Sequence, residues 1–276
     1  MDPTPEDLYL DLLKKTLSFA LWQEPPVPVD VFNYRNPPFK RWLLSVLSQF
    51  CRSQKLQLVQ SRTITREQRE IGRRWSSYAH TMIGFKRLDN LQYCIDTALH
   101  DGVEGDLIET GVWRGGSCIF MRGLLAARGI KNRKVFVADS FEGLPKPDAE
   151  TYPADAGDDH HVHTFLAIPQ SEVEENFRKY GLLDDQVVFL KGWFKDTLPT
   201  APVEKLAVLR LDGDMYSSTI EALTHLYPKL SKGGFCIVDD YALEGCKKAV
   251  EDYRRENGIT DEIKSVDWTG SYWRKA

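Results

Sequence analysis

Apolar positions recur at two spacings along this chain, and the change between them divides it. Near the start, Leu8, Leu12, Leu13 and Leu17 fall at helical spacing. Thr4-Pro5-Glu6-Asp7 ahead of them supplies a capping hydroxyl, a first-turn proline and acids near the positive end of the helix dipole. Pro25-Pro26-Val-Pro28 ends that helix and opens a loop to Pro37-Pro38. A second amphipathic helix follows, with Trp42, Leu43, Val46, Leu47 and Phe50 on one side and Lys40, Arg41, Arg52 and Lys55 around it. Residues 61–75 mix arginines with Glu67 and Glu70, which predicts a helix with a solvated face. Residues 1–80 thus read as a helical extension or cap.

From about residue 84 short apolar runs alternate with helical stretches. Helices are predicted at 85–99, 116–128, 171–180, 217–227 and 244–257. Strands are predicted at 106–110, 134–139, 187–190, 206–212 and 234–239. Alternation of this kind predicts a doubly wound α/β domain with a parallel sheet over 81–276. Two closing strands, 262–267 and 271–275, flank Thr269-Gly270, which predicts an antiparallel last strand. The polar stretch from Glu142 to about residue 170 interrupts the alternation and reads as a lid.

The most informative segment is Asp106-Leu-Ile-Glu-Thr-Gly-Val-Trp-Arg-Gly-Gly-Ser117: a strand, a glycine-bearing turn, then a helix. Gly111, Gly115 and Gly116 suit close passage of the backbone by a ligand. Asp139 ends the next strand, where a carboxylate takes both hydroxyls of a ribose. The turn is not G-x-G-x-x-G, which argues against a pyrophosphate cradle and for an adenosine cofactor without phosphate, S-adenosylmethionine.

Two further strands end in acids, Leu206…Asp212-Gly-Asp214 and Gly234…Asp239-Asp240. Parallel neighbours end on one sheet edge, so these carboxylates are expected to converge. Crowded carboxylates need a cation, and oxygen-only ligands point to Mg²⁺. One such aspartate alone reads as a helix cap, as Asp214 for the helix near 217. Coordination would lower the pKa of an aliphatic hydroxyl while a nearby carboxylate takes its proton. His160, His161 and His163, with Asp155, Asp158 and Asp159, raise a zinc alternative, but they lack ligand spacing on firm elements and read as part of the lid. His161, His163 and Tyr216 are candidate substrate contacts. Trp193 and Phe194 are core residues or a cofactor wall, and His80 by itself reads as structural.

Composition narrows the class. Hydrophobic content of 42% and charged content of 28% suit a globular protein, and a net charge of −4 gives no basic field for nucleic acid. Five cysteines form no C-x-x-C pair, which suggests reduced thiols and a cytoplasmic location. No apolar run is long enough to span a bilayer, and the acidic N-terminus is unlike a signal peptide. The Trp42 helix with its basic flanks raises contact with a membrane surface; packing on the core or a partner subunit is the preferred reading.

The chain resembles the macrocin O-methyltransferase family (TylF/MycF/NovP-like), which methylates sugar hydroxyls on antibiotics and related glycosylated natural products. The resemblance rests on Ala79-His-Thr-Met-Ile-Gly84, Arg87-Leu-Asp-Asn-Leu91, the 106–117 segment and Ala138-Asp-Ser-Phe-Glu-Gly-Leu-Pro145. Tyr180-Gly-Leu-Leu-Asp184, Gly192-Trp-Phe-Lys-Asp-Thr-Leu-Pro199, Leu211-Asp-Gly-Asp-Met-Tyr-Ser-Ser-Thr219 and Val238-Asp-Asp-Tyr241 complete it. It implies a class I S-adenosylmethionine-dependent methyltransferase fold (Rossmann-like), Mg²⁺ dependence, a glycoside acceptor and a homo-oligomer, a dimer or higher. It implies Asp212, Asp239 and Asp240 as metal ligands, and Asp214 as general base with Asp212 able to share that role. Around the cofactor it implies Thr81, Met82, Glu109, Thr110, Gly111, Val112, Trp113, Arg114 and Ser117, with Asp139, Ser140, Phe141, Phe194 and Asp212. Residues 22–75 match no pattern of the family, and Arg74-Trp75-Ser76-Ser77 stands where relatives carry an Asp-Trp-Pro-like pattern. A catechol-type O-methyltransferase and a non-catalytic scaffold of the same fold are the alternatives; the complete set of acids opposes the second.

Overall fold

A computed structural model describes residues 2–30, 33, 36–61 and 63–276. The loop predicted between Pro25 and Pro38, and the stretch 61–75, fall partly outside these residues.

The strands of the central sheet switch faces residue by residue. Leu107 of β3 (Asp106–Thr110) and Val135 and Val137 of β4 (Val135–Asp139) join one core. Ile108, Phe136 and Ala138 join the other. Period-two alternation with both sets apolar is what a strand buried on both faces requires. With β5 (Val187–Lys191), β6 (Leu206–Leu211) and β7 (Leu230–Val238), these strands pair in parallel. The order β5-β4-β3-β6-β7-β9-β8 makes a seven-stranded sheet, closed by antiparallel β9 (Ser271–Arg274) and β8 (Lys264–Ser265). The order reverses between β3 and β6, so their carboxyl ends border the crevice where ligands of open α/β sheets bind.

One face is covered by α4 (Phe85–His100), α5 (Gly116–Ala127) and α6 (Gln170–Lys179); the other by the one-turn α7 (Phe194–Thr197), α8 (Tyr216–Leu226) and α9 (Glu244–Glu256). Helix α1 (Pro5–Leu17) begins at a capping box between Thr4 and Asp7, and it buries Leu10, Leu13 and Leu17 in the same core as α5. The start of the chain is therefore built into the main core.

Helix α2 (Pro38–Ser53) forms where its pattern predicts, but its apolar side is left uncovered: Phe39 is 74%, Trp42 61% and Phe50 65% exposed, and its buried residue is Ser48. A two-stranded ribbon, β1 (Val27–Pro28) with β2 (Val59–Gln60), lies beside it in sequence. The helix predicted over 61–75 shrinks to α3 (Arg66–Glu70), because Gly72 turns the chain with φ +63°. Its arginines are not all solvated, since Arg69 donates to the carbonyls of Ser18 and Phe19 and pairs with Glu24.

Candidate active site

The three turns at the carboxyl ends of β3, β4 and β6 each carry a non-glycine residue at positive φ: Trp113 (48°), Phe141 (58°) and Asp214 (56°). Such backbone is costly for the two aromatic residues and uncommon for the aspartate, and it gathers where the sheet opens onto a cavity of about 640 Å³. The glycines serve the protein's own backbone more than a ligand's approach. A Cβ on Gly111 would lie 1.6 Å from the Asp212 carbonyl oxygen, and one on Gly116 would lie 2.4 Å from that of His80.

At one end of the cavity Asp139 accepts the backbone N–H of Val112 and of Phe141, each at 2.7 Å. It thereby pins the β3–α5 turn to the end of β4. The Ser140 hydroxyl also approaches the oxygen that faces Phe141, at 3.4 Å. Burial raises this carboxyl above its ordinary range, and the donated backbone hydrogen bonds oppose the rise. Thr81, Met82, Glu109, Gly111, Val112, Trp113, Ser117, Ser140 and Phe194 line the same cavity. Burial pushes Glu109 up to about 7; its carboxylate faces Arg210 and accepts from the Cys118 thiol at 2.9 Å.

At the other end Asp212, Asp239 and Asp240 each offer an oxygen within 4.8 Å of the others. Two arginines attend Asp239, Arg210 on one oxygen and Arg87 on the other. Arg210 also donates to Asp212 at 2.7 Å, and Arg87 to Asp267 at 3.0 Å. Asp240 has no such arginine. Burial, with Asp214, Asp212 and Asp239 close by, drives its carboxyl well above the ordinary range. Burial and Asp212 also lift Asp214, to about 7. Five acids, counting Glu109, thus meet two arginines. An all-oxygen set with uncompensated negative charge fits a hard divalent cation such as Mg²⁺.

Several predicted residues stand elsewhere. Arg114 is turned back to hold the carbonyls of Ser77 and Ala79, at 2.7 and 3.0 Å, instead of entering the cavity. Thr110 is buried in β3, and Phe141 packs on Phe189 with ring centroids 6.1 Å apart. Tyr216 points away, its hydroxyl on Asp252 at 3.1 Å. His161 is exposed and outside the cavity, whereas His163 and His160 line it. The zinc alternative finds no convergence: among the described residues only the three aspartates form a metal-sized group. Asp155 is instead the cap of α8, the role first weighed for Asp214; it accepts the N–H groups of Tyr216 and Ser217.

Sequence reasoning gave no role to Arg210 or Arg87, and it gave His160 only to the lid or a zinc site. The signal for Arg210 was present, since an arginine inside an apolar strand is buried only when paired. Trp75 and Trp268 also line the cavity, within segments read only as surface or turn.

Residues between Pro145 and Leu166, Tyr152 and Phe165 among them, form one wall of this space. Trp113 donates from Nε1 to the Phe165 carbonyl at 2.9 Å, and the Tyr152 hydroxyl meets Glu221 at 3.3 Å.

Comparison with known proteins gives the family and the fold. A family model described as macrocin-O-methyltransferase (TylF) matches residues 6–275, including the stretch 22–75 in which the sequence reading found no family pattern. The chain is 50% identical to an 8-demethyl-8-(2,3-dimethoxy-alpha-L-rhamnosyl)-tetracenomycin-C 4'-O-methyltransferase of Streptomyces olivaceus, over 99% of this chain and 95% of the relative. It is 47% identical to a mycinamicin III 3''-O-methyltransferase of Micromonospora griseorubida, over 99% and 98%. It is 45% identical to a demethyldecarbamoylnovobiocin O-methyltransferase of Streptomyces niveus, over 97% and 93%. The solved structure of the O-methyltransferase NovP superposes with a TM-score of 0.84 at 44% identity, covering 98% of this chain and 99% of that one. The calicheamicin methyltransferase CalS11, at 17% identity and a TM-score of 0.57, shares the fold.

Proposed function

This chain belongs to the macrocin-O-methyltransferase family and is an O-methyltransferase of the class I fold, and from that premise we propose a specific reaction. It moves a methyl group from S-adenosylmethionine to a hydroxyl of a deoxysugar on a glycosylated natural product, and it depends on Mg²⁺. The observation that carries the reading is the convergence of Asp212, Asp239 and Asp240, with Asp214 beside them, in a cavity that also holds Asp139.

When bound, S-adenosylmethionine supplies a methyl on a sulfonium whose leaving thioether is neutral, so no acid catalyst is required. A Mg²⁺ ion held by Asp212, Asp239 and Asp240 would supply Lewis acidity that lowers the pKa of the acceptor hydroxyl. Asp139 would accept from the ribose hydroxyls. Thr81, Met82, Glu109, Trp113, Ser117, Ser140 and Phe194 form the wall around the cofactor. Asp214 takes the hydroxyl proton on its carboxylate, with Asp212 able to share that task. Arg87 and Arg210 hold Asp239 in place and offset part of the negative charge. Residues 142–170 act as a lid that excludes water and orients the acceptor.

The enzyme works as a homo-oligomer in the cytoplasm. The uncovered apolar side of α2 supports the first statement, and free thiols at all five cysteines support the second. The segment after α1, to about residue 80, serves as a cap on the acceptor side, with Trp75 at the cavity.

The test combines calorimetric titration of S-adenosylmethionine with methyl transfer to three acceptors, with Mg²⁺ or with EDTA. The acceptors are the substrates named for the three relatives: the rhamnosyl tetracenomycin, mycinamicin III and demethyldecarbamoylnovobiocin. The expected result is cofactor binding and EDTA-sensitive transfer to a sugar hydroxyl. Folded protein that does not bind the cofactor would overturn the reading.

A further inference from the structure

The turn Asp267-Trp268-Thr269-Gly270, between β8 and β9, is tied to the acidic end of the cavity on both sides of its tryptophan. Ahead of it, Asp267 accepts from Arg87 at 3.0 Å, and Arg87 also holds the Asp239 carboxylate. Behind it, the Thr269 hydroxyl donates to the Asp239 carbonyl oxygen at 3.0 Å. The second Asp267 oxygen accepts the N–H groups of Thr269 and Gly270, at 3.0 and 2.8 Å, which closes the turn on itself. Between these anchors Trp268 lines the cavity. Its Nε1 donates to the Ile71 carbonyl at 2.8 Å, and the Arg73 guanidinium lies 5.4 Å from its ring centre. The indole is thus held with its polar atom satisfied, yet the residue is 48% exposed. What it leaves in water is apolar ring surface, already ordered, so that covering it costs little further entropy. Phe165, another exposed aromatic of the lining, is tied instead to Trp113 of the cofactor turn.

The size of the cavity says what reaches Trp268. Its volume of about 640 Å³ lies within the range for one drug-sized molecule, roughly 300–1,000 Å³. A cofactor and one sugar ring fill such a space, so the rest of a glycoside must lie outside it. In the acceptor named for the 50%-identical relative, the methylated 4' hydroxyl is across the rhamnose ring from the link to tetracenomycin. An acceptor held in that way, with its reacting hydroxyl at the aspartates, begins its aglycone one pyranose width outward, at the rim. Trp268 stands on the rim at that end, flanked by the two residues that bond Asp239 and its arginine.

We propose that Trp268 packs against the aglycone of the acceptor, so that the enzyme selects glycosides of an apolar aglycone over free sugars and sugar nucleotides. This rests on the function proposed above and adds what the acceptor carries beyond its sugar. Trp268 touches the acceptor; Asp267 and Thr269 act through it as positioning residues.

The test measures binding, so it does not depend on turnover. Protein saturated with S-adenosylhomocysteine and Mg²⁺ is titrated with the methyl and the 2-naphthyl glycosides of 2,3-di-O-methyl-α-L-rhamnose, with affinities read by ligand-observed NMR. The parent is expected to prefer the naphthyl glycoside by roughly tenfold, the size of one well-packed aromatic contact. Trp268→Ala is expected to remove most of that preference, together with the ring-current shifts of the naphthyl protons. Trp268→Phe loses the bond to Ile71 but keeps an aromatic ring, and it restores part of both. A tryptophan that served only to hold the Ile71 carbonyl would make the Phe and Ala variants alike and leave the preference intact. An unchanged ratio in Trp268→Ala overturns the proposal, as does a parent that shows no preference or binds neither glycoside. A nucleotide base also offers a flat ring, so thymidine diphosphate rhamnose is titrated alongside; tighter binding of it than of the naphthyl glycoside overturns the proposal too. Failure to bind S-adenosylhomocysteine is a separate result: it overturns the function above and this inference with it.

Discussion

Asp155 and Tyr216 are joined across 61 residues of chain: the Asp155 carboxylate accepts the Tyr216 N–H at 2.7 Å, and the Ser217 N–H at 2.9 Å with its other oxygen. Asp155 is 2% exposed. The polar segment thus supplies the cap that α8 lacks from its own sequence, since Met215 at the cap position has no side-chain acceptor. One contact fixes both the start of α8, just after Asp214, and the middle of the polar segment.

Asp155→Ala is therefore expected to do two things. It should lower global stability by about 1–2 kcal/mol in urea unfolding, the range for a lost cap. It should also increase proteolytic cleavage within 142–170 at concentrations where the parent resists. Stability loss without greater cleavage would mean that the lid is held by Trp113 and Tyr152 alone.

His80 gives a stability signature in pH. Its Nδ1 is 2.8 Å from the Tyr180 hydroxyl, at the seam between the start of α5 and α6. Burial first, then Lys179 and Arg114, pull its pKa from 6.5 to about 4. Above 6.5 the imidazole is neutral in folded and unfolded chains alike. Between 6.5 and about 4 the unfolded chain binds a proton that the folded one refuses, so stability is lost as pH falls through this window and levels off below it. Between about pH 7.5 and pH 5 the parent should lose on the order of 1 kcal/mol more than His80→Asn, which does not titrate there. Parallel pH profiles for the two proteins would contradict the depressed pKa.

How much was legible beforehand follows from what each signal measures. The core strands stood out because burial on both faces demands near-continuous apolar residues. The acids at their ends stood out because a polar residue after such a run marks the sheet edge. The lid has no period: its one-turn helices at Pro153–Asp155, His160–Val162 and Thr164–Leu166 leave no pattern. Nothing in His160-His161-Val162-His163 said which ring turns inward, and His161 turned out. Tyr216 was misjudged for a related reason, because a helix start fixes position but not which side faces the ligand. For α2 the pattern gave the helix and its apolar side correctly, yet hydrophobicity says that a face must be covered without saying by what.

That face yields a prediction of its own. Helix α2 carries Lys40, Arg41 and Arg52 and no acid, while the exposed stripe of α1 around Leu8 and Leu12 carries Glu6, Asp7 and Asp11. Exposed apolar stripes on both helices, with Lys40 and Arg41 on one and Glu6 on the other unpaired among the described residues, suit α2 of one copy on α1 of another. Sedimentation velocity is expected to give a parent larger than a monomer. Trp42→Glu with Phe50→Glu should move it to monomer with the core still folded. A monomeric parent that floats with anionic vesicles would assign the face to a membrane surface instead.

Asp240 separates binding from stability. It is the carboxylate of the cluster that no arginine bonds among the described residues, and its neighbours Asp214, Asp212 and Asp239 raise the cost of its charge more than Arg87 relieves it. Without a divalent ion that cost falls on the folded state. Asp240→Asn removes the charge, keeps the shape and retains an oxygen for the Asp214 N–H, now 3.4 Å away. In EDTA the variant should therefore be more stable than the parent, by about 1 kcal/mol. Adding Mg²⁺ should reverse the order, because an ion that binds only the folded parent stabilises it by mass action while the variant has lost a ligand. Calorimetry should show at least about tenfold weaker Mg²⁺ binding in the variant, the lower bound set by changes outside the ligand set itself. Thermal unfolding of both proteins with Mg²⁺ and with EDTA tests the crossover. A parent whose melting ignores Mg²⁺, and whose methyl transfer survives EDTA, would leave these aspartates as an acidic cluster with no metal.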